Sequence, residues 1–163
     1  MEVSDMKQIF FAQKALIVKD NKLLMIRKSK NERPNPLRWD VPGGRMDYGE
    51  EINDSLQREV YEEIGIDAKV GRPYYLGQWF VTRPPKAEGI EPLEMQIVAV
   101  YRACSTSSTK FNTDNNTDND EVELIQWVPI DEDMLKLDLM QGMIPTIKEF
   151  IQDFRAGKIE FPA

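Results

Sequence analysis

The 163-residue chain contains no histidine and a single cysteine, Cys104. Without histidine it cannot build Ser-His or Cys-His nucleophilic devices, nor zinc sites that use imidazole. One cysteine cannot form an internal disulfide, so we expect a reducing, cytoplasmic location. Because Cys104 follows the apolar run at 97–103, we expect it to be a buried strand residue rather than a nucleophile.

Long apolar runs and an excess of positive charge are also missing. No stretch is long enough to cross a bilayer, and the N-terminal MEVSDMKQIFFAQK lacks the basic start and apolar core of a signal peptide. The formal net charge of −7 argues against a broad contact with nucleic-acid phosphates, whereas a bound dication would still allow a small phosphorylated ligand. We therefore expect no membrane or nucleic-acid partner.

The remaining composition is that of a soluble domain, with 41% hydrophobic and 30% charged residues. We expect residues 1–163 to form a single domain. Apolar patterns predict one helix that begins near Asn53 or Asp54, either of which could be its N-cap, and ends at Gly65. They also predict a last helix opened by Pro145. Strands are predicted at 9–18, 22–27, 68–81 (as one or two strands), 95–103 and 122–129. This order predicts an α+β or α/β sandwich, with helices packed on a mixed sheet.

The strongest chemical signal lies in the helix predicted within residues 44–66. Its apolar stripe, formed by Ile52, Leu56, Val60 and Ile64, should face the core. Glu59, Glu62 and Glu63 are three and four residues apart, so they project from one side of the helix. Such like-charged neighbours destabilise a helix by about a few tenths of a kcal/mol per pair unless a cation neutralises them.

Hard dications such as Mg²⁺ and Mn²⁺ prefer oxygen ligands, so we predict that these glutamates bind one. Gly44 lets the backbone approach closely, and its carbonyl could complete the set of ligands. Arg58 is expected to hold carboxylates such as Glu50 or Glu62 in a fixed fork geometry. Such a site suits the attack of water on a phosphoryl centre, with a glutamate that accepts the proton of the water.

The same stretch, GRMDYGEEINDSLQREVYEEIGI, resembles the Nudix box. The fixed positions of that pattern are occupied here by Gly44, Glu50, Arg58, Glu59, Val60, Glu62, Glu63, Gly65 and Ile66. The preceding WDVPGG, residues 39–44, is similar to the usual entry to the box. The resemblance implies a Nudix hydrolase, with a Nudix-type α/β/α sandwich around a mixed β-sheet. It also implies Mg²⁺- or Mn²⁺-dependent hydrolysis of a nucleoside diphosphate linked to another moiety.

By this resemblance Glu59, Glu62 and Glu63 are metal ligands, and Glu59 or Glu62 is the candidate general base. Some members of the family use a glutamate from a later loop, for which Glu121 is the candidate here. A Nudix-like domain can also act as a nucleotide sensor without turnover. That alternative remains open, although such sensors often lose glutamates of the box.

Substrate contacts are predicted outside the box. Arg27, Arg38 and Arg83 could bind phosphates, and Trp39 could stack on a base, while surface solvation and core packing are the alternatives for each. A nucleoside triphosphate, including an oxidised one, is the favoured small-molecule substrate because the chain is compact. ADP-ribose or another nucleoside diphosphate sugar is the alternative, suggested by Pro84-Pro85. An exposed apolar N-terminal strand would allow a homodimer.

Overall fold

The computed structural model describes residues 7–31, 36–83, 87–113 and 122–163. Two expectations, Glu121 and the Pro84-Pro85 pair, therefore lie outside the described residues. The helices are α1 (Ile52–Ile64), a 3₁₀ helix (Glu132–Lys136) and α2 (Met143–Arg155). The strands are β1 (Lys7–Lys19), β2 (Lys22–Lys28), β3 (Trp39–Asp40), β4 (Gly43–Arg45), β5 (Lys69–Arg83), β6 (Leu93–Ser105) and β7 (Val122–Pro129).

The sheet is mixed, and β1 lies near its centre. Along the main path the strand order is β3-β2-β1-β6-β5, while β4 pairs with β1 and β7 pairs with β2. Strands β1 and β6 run parallel, with Ala12 opposite Ala99, and the other pairs are antiparallel. This geometry brings β4, the strand that contains Gly44, directly against the middle of β1.

The two faces of the sheet are covered by different helices. One apolar cluster joins Ala15, Ile17 and Cys104 of the sheet to the inner face of α1. A second, larger cluster joins the opposite face to α2 and the 3₁₀ helix, through residues such as Phe150 and Met134. The α/β/α sandwich around a mixed sheet is therefore confirmed.

Most predicted elements are present, and their boundaries differ in physically understandable ways. Of the segment predicted at 68–81, residues 69–81 belong to one continuous strand, β5, which ends at Arg83. Helix α1 begins at Ile52, because the N-cap is Glu51, whose carboxylate accepts hydrogen bonds from the backbone N–H groups of Asn53 and Asp54. Neither Asn53 nor Asp54 is therefore the cap. Helix α2 begins at Met143, two residues before Pro145.

Two expectations about burial have different outcomes. Cys104 is fully buried in β6, as predicted. Ile52 was expected to face the core but is 49% exposed, while Leu56, Val60 and Ile64 are fully buried. Ile52 lies in the first turn of α1, and its backbone carbonyl, not its side chain, joins the helix to the sheet by accepting a hydrogen bond from Gln13. In the part of the chain that the structure describes, no helix is long and apolar enough to span a membrane.

Candidate active site

Helix α1 orients the glutamates through its apolar face. Leu56, Val60 and Ile64 fix the rotation of the helix against the sheet. Gly65 ends the helix in the left-handed conformation, with φ of 71°, and its N–H donates to the carbonyl of Tyr61. This conformation favours glycine because it has no Cβ. The carboxylate-bearing edge of the helix is thereby directed toward β4.

Glu59 lies directly over Gly44. A Cβ added at Gly44 would stand 2.6 Å from Oε2 of Glu59 and 2.8 Å from its Cδ, closer than real Cβ contacts. Only glycine therefore permits this approach of the strand to the carboxylate. Burial raises the pKa of Glu59 above its ordinary value, while nearby Arg58 and Lys14 act in the opposite direction. The arrangement brings together the carboxylate and the backbone that were predicted to share a metal.

Glu63 is the most deeply placed carboxylate of the box, with 8% of the residue exposed. Its Oε2 lies 3.9 Å from Nζ of Lys28. Its Oε1 is buried and has no hydrogen-bond partner among the described residues. Burial raises the pKa of the Glu63 carboxyl, and Lys28 and Lys14 partly offset that effect. A buried carboxylate oxygen without a partner is costly unless a cation or a proton satisfies it.

Arg58 holds several carboxylates at once. Its guanidinium binds Glu50 through two hydrogen bonds, Nε to Oε2 at 2.7 Å and Nη2 to Oε1 at 2.8 Å. It also lies 3.1 Å from Glu62, 3.2 Å from Glu59 and 3.6 Å from Asp47. The bidentate contact lowers the pKa of Glu50 to about 2 and raises that of Arg58. One cation shared among four carboxylates leaves the region with excess negative charge.

This geometry agrees with the predicted role of Arg58, which is to hold carboxylates in place. Glu62 is placed differently from Glu59 and Glu63. Its side chain is 52% exposed and pairs with Arg58. Among the residues that the structure describes, no three acidic side chains are grouped closely enough to hold one ion. Lys28 and Arg58 are the counter-ions of Glu63 and Glu62 in this arrangement.

The residues nevertheless fit a hard dication. The donors are carboxylate and carbonyl oxygens, which Mg²⁺ and Mn²⁺ prefer. The unpartnered Oε1 of Glu63 and the contact between Glu59 and Gly44 place two carboxylates and a backbone segment along one edge of α1. Gly44, Glu59 and Glu63 would hold the ion, and Glu62 would join them by a change of side-chain rotamer.

The predicted substrate contacts form a separate group on the α2 side of the sheet. Arg27 pairs with Glu123 at 3.2 Å, and its guanidinium lies 5.9 Å from the centre of the Trp39 ring. Trp39 is 8% exposed and packs in the larger core cluster. Arg38 is half-buried and donates to the carbonyl of Leu139 at 3.4 Å. Binding of substrate by these three residues remains a prediction.

Arg83 lies far from the glutamates. It pairs with Leu93, which stands seven residues before Val100, and Val100 is level with Gln13 and Gly44. Seven strand residues correspond to roughly 23 Å. The fold therefore does not bring Arg83 into the carboxylate cluster, and its phosphate contact also remains a prediction.

Two lysines that lie near the site were not predicted from the sequence. Lys14 forms a buried ion pair with Asp40 at 2.8 Å, and Lys28 faces Glu63. Lys14 stands in the middle of the apolar run IFFAQKALIV. A charged residue within such a run indicates a buried charge that needs a partner. The partner of Lys14 lies 26 residues away, so the pairing itself was not readable from the sequence.

The chain is similar to known proteins both in sequence and in fold. The family model described as NUDIX domain matches residues 12–150. The m7GpppN-mRNA hydrolase NUDT17 of Xenopus laevis is 29% identical over 117 residues, which is 72% of this chain and 39% of that protein. Human diphosphoinositol polyphosphate phosphohydrolase 3-alpha is 38% identical over 68 residues, 42% of this chain and 38% of that protein. The chain thus spans under two-fifths of the length of these relatives.

Solved structures show the same architecture. The MutT protein from Methanosarcina mazei Go1 superposes with a TM-score of 0.68 at 22% identity, covering 94% of this chain and 98% of that one. An ADP-ribose pyrophosphatase from Streptococcus suis gives a TM-score of 0.61 at 18% identity, covering 94% and 98%. These likenesses establish the fold. The family model matches most of the chain, and this match shows that the chain belongs to the Nudix hydrolase family.

Proposed function

We propose that the protein is a Mg²⁺- or Mn²⁺-dependent pyrophosphohydrolase that cleaves a nucleoside diphosphate linked to another moiety. The observation that carries this proposal is the placement of the Glu59 carboxylate against Gly44, beside the buried and partly unpartnered Glu63. A scaffold helix has no need to bury a carboxylate in this way. The excess negative charge around Arg58 supports the same conclusion.

The chain's own residues have distinct tasks in this proposal. A bound dication supplies charge neutralisation at the phosphate oxygens and a water of lowered pKa. Glu59, Glu63 and the Gly44 backbone hold that cation, and Arg58 keeps Glu50 and its neighbours in place. Glu62 is a candidate general base with open access to solvent, since 52% of its side chain is exposed, compared with 24% for Glu59. Glu59 and Glu121 are the competing candidates.

A nucleoside triphosphate, including an oxidised one, is the substrate we favour. The net charge of −7 favours a small nucleotide over a long phosphate backbone. The name of the Xenopus relative, an m7GpppN-mRNA hydrolase, makes capped RNA a necessary member of any substrate panel. The name of the human relative adds diphosphoinositol polyphosphates. ADP-ribose represents the nucleoside diphosphate sugars.

The test is a turnover assay on that panel with Mg²⁺, run in ¹⁸O-labelled water with product analysis. The expected result is cleavage of a pyrophosphate bridge, with one ¹⁸O in one product and none in the other. Three variants are compared with the wild-type protein in the same assay: Glu62→Gln, Glu59→Gln and Glu121→Gln. The variant with the largest loss of kcat at saturating metal identifies the base. Absence of turnover on every member would refute the enzymatic proposal.

The alternative is a domain that senses a nucleotide without turnover. The complete box favours the enzyme, because every metal-binding glutamate of the pattern is present. A sensor would show a ligand-induced rise in melting temperature with no product in the same panel.

We also propose a cytoplasmic location. A homodimer remains a proposal as well, supported by the exposure of Ile9 (72%) and Phe11 (41%) on β1.

A further inference from the structure

Arg102 is a buried cation with neutral partners. It lies in β6 with 7% of the residue exposed. Its Nε donates to the carbonyl of Gly71 at 2.9 Å, its Nη1 to Oε1 of Gln13 at 2.9 Å and its Nη2 to Oδ1 of Asn53 at 2.8 Å. None of these acceptors is a carboxylate. Burying a charge is costly, and neutral acceptors offset less of that cost than an ion pair does.

The location of this charge adds to the cost. Asn53 lies in the first turn of α1, where the helix dipole presents partial positive charge and disfavours a cation. The Arg102 side chain nevertheless joins three separate elements, β5, β1 and α1, in one planar fork of donors. A guanidinium can hold three acceptors in fixed directions in this way, and a flexible ammonium cannot.

Gln13 extends this connection to the candidate metal site. Its Nε2 donates to the carbonyl of Ile52, the first residue of α1, at 2.7 Å. Its Cα is paired with Gly44 across β1 and β4. The same short segment of β1 thus contacts the strand beneath Glu59 and the first turn of the helix that bears Glu59.

Helix α1 transmits the position of its first turn to its glutamates. Glu59 stands seven residues after Ile52, about 10 Å along the axis. Because an α-helix is stiff over this length, a displacement of the first turn moves the Glu59 carboxylate relative to Gly44 by a similar amount. A misplacement of about 1 Å in a catalytic site can reduce the rate by about 100-fold.

We propose that Arg102, acting through Gln13 and Asn53, is a positioning residue that sets the placement of α1 over Gly44 and thereby the affinity for the metal. This inference rests on the proposed metal-dependent function. The residue contacts neither substrate nor metal. It acts by holding the helix that carries the glutamates.

The test measures Mn²⁺ binding by electron paramagnetic resonance on the full chain, beside the melting temperature of each variant. Arg102→Met should weaken Mn²⁺ binding by about tenfold or more. Arg102→Lys, which keeps the charge and loses the fork, should weaken it similarly. Leu24→Ala and Ile17→Ala are the controls, because both remove buried side chains from the cluster under α1 and neither residue belongs to the hydrogen-bond network of Arg102. These controls should lower the melting temperature and leave Mn²⁺ affinity unchanged.

A second arm tests the connection itself. Gln13→Leu should also weaken Mn²⁺ binding, and the double variant with Arg102→Met should lose little more than the more damaging single change, since both act through one network. The proposal is overturned if Arg102→Met or Arg102→Lys keeps Mn²⁺ affinity within twofold, or if controls of equal melting temperature lose as much. A wild-type protein that binds Mn²⁺ but hydrolyses nothing refutes only the proposed activity. A wild-type protein that does not bind Mn²⁺ refutes both proposals.

Discussion

Replacement of Gly44 by alanine tests the contact between β4 and α1 most sharply. The new Cβ would stand 2.6 Å from Oε2 of Glu59, whereas ordinary contact begins at 3.4 Å. The carboxylate must therefore retreat by about 0.8 Å, the difference between these distances. Gly44 does not have a positive φ, so alanine adds no backbone strain. A displaced terminal carboxylate costs about 0.5–1.5 kcal/mol in side-chain conformation, which should lower the melting temperature only slightly.

The functional effect should be much larger than the effect on stability. A retreat approaching 1 Å should reduce kcat by up to about 100-fold and weaken Mn²⁺ binding. The assay combines Mn²⁺ titration, turnover and thermal melting. Gly77→Ala is the matched control, because its new Cβ would meet Tyr101 at 3.4 Å, an ordinary contact. Unchanged Mn²⁺ affinity and rate in Gly44→Ala, or equal losses in Gly77→Ala, would show that the approach of β4 to Glu59 does not set the metal site.

Three further predictions concern the charged groups of the site. Glu63→Gln should weaken Mn²⁺ binding by at least about tenfold, because it removes the charge of a metal ligand; unchanged binding would contradict this. Arg58→Lys should raise the pKa of Glu50 from about 2 toward its ordinary 4.5 in an NMR titration, whereas Arg155→Lys at the separate Glu132 pair should leave it unchanged. The pKa values of Glu59 and Glu63 are raised by burial, so the folded metal-free protein holds their protons more tightly than the unfolded chain. The stability of the metal-free protein should therefore fall as pH rises from 4.5 through these raised pKa values. Stabilisation by saturating Mg²⁺ should be larger at pH 8 than at pH 5. Equal Mg²⁺-induced shifts of the melting temperature at both pH values would refute this.

The local parts of the fold were predictable, because they depend on neighbours in sequence. The four-residue apolar spacing located α1, and Gly65 marked its end. The start of the helix was predicted too late, because glutamate is a less usual N-cap than asparagine or aspartate, and Asn53 and Asp54 lie close by. Arg58 was correctly expected to hold Glu50 and Glu62, because Glu62 is one helical turn away and Glu50 lies in the adjoining loop.

The long-range parts were not predictable from spacing. The ion pair of Lys14 with Asp40 joins residues 26 positions apart, and the contact of Arg102 with Asn53 joins residues 49 apart. Both depend on strand pairings that apolar patterns do not specify. The spacing of Glu59, Glu62 and Glu63 placed them on one side of α1, but it did not specify how exposed each side chain is, and that of Glu62 is 52% exposed.

Anomalous diffraction from crystals soaked in Mn²⁺ would locate the metal directly. We expect an anomalous peak bounded by the Gly44 carbonyl and the carboxylates of Glu59 and Glu63. We also expect that the peak disappears in crystals of Glu63→Gln. No peak at this position in the wild-type protein, or a peak that persists in Glu63→Gln at equal Mn²⁺ concentration, would show that these residues do not form the metal site.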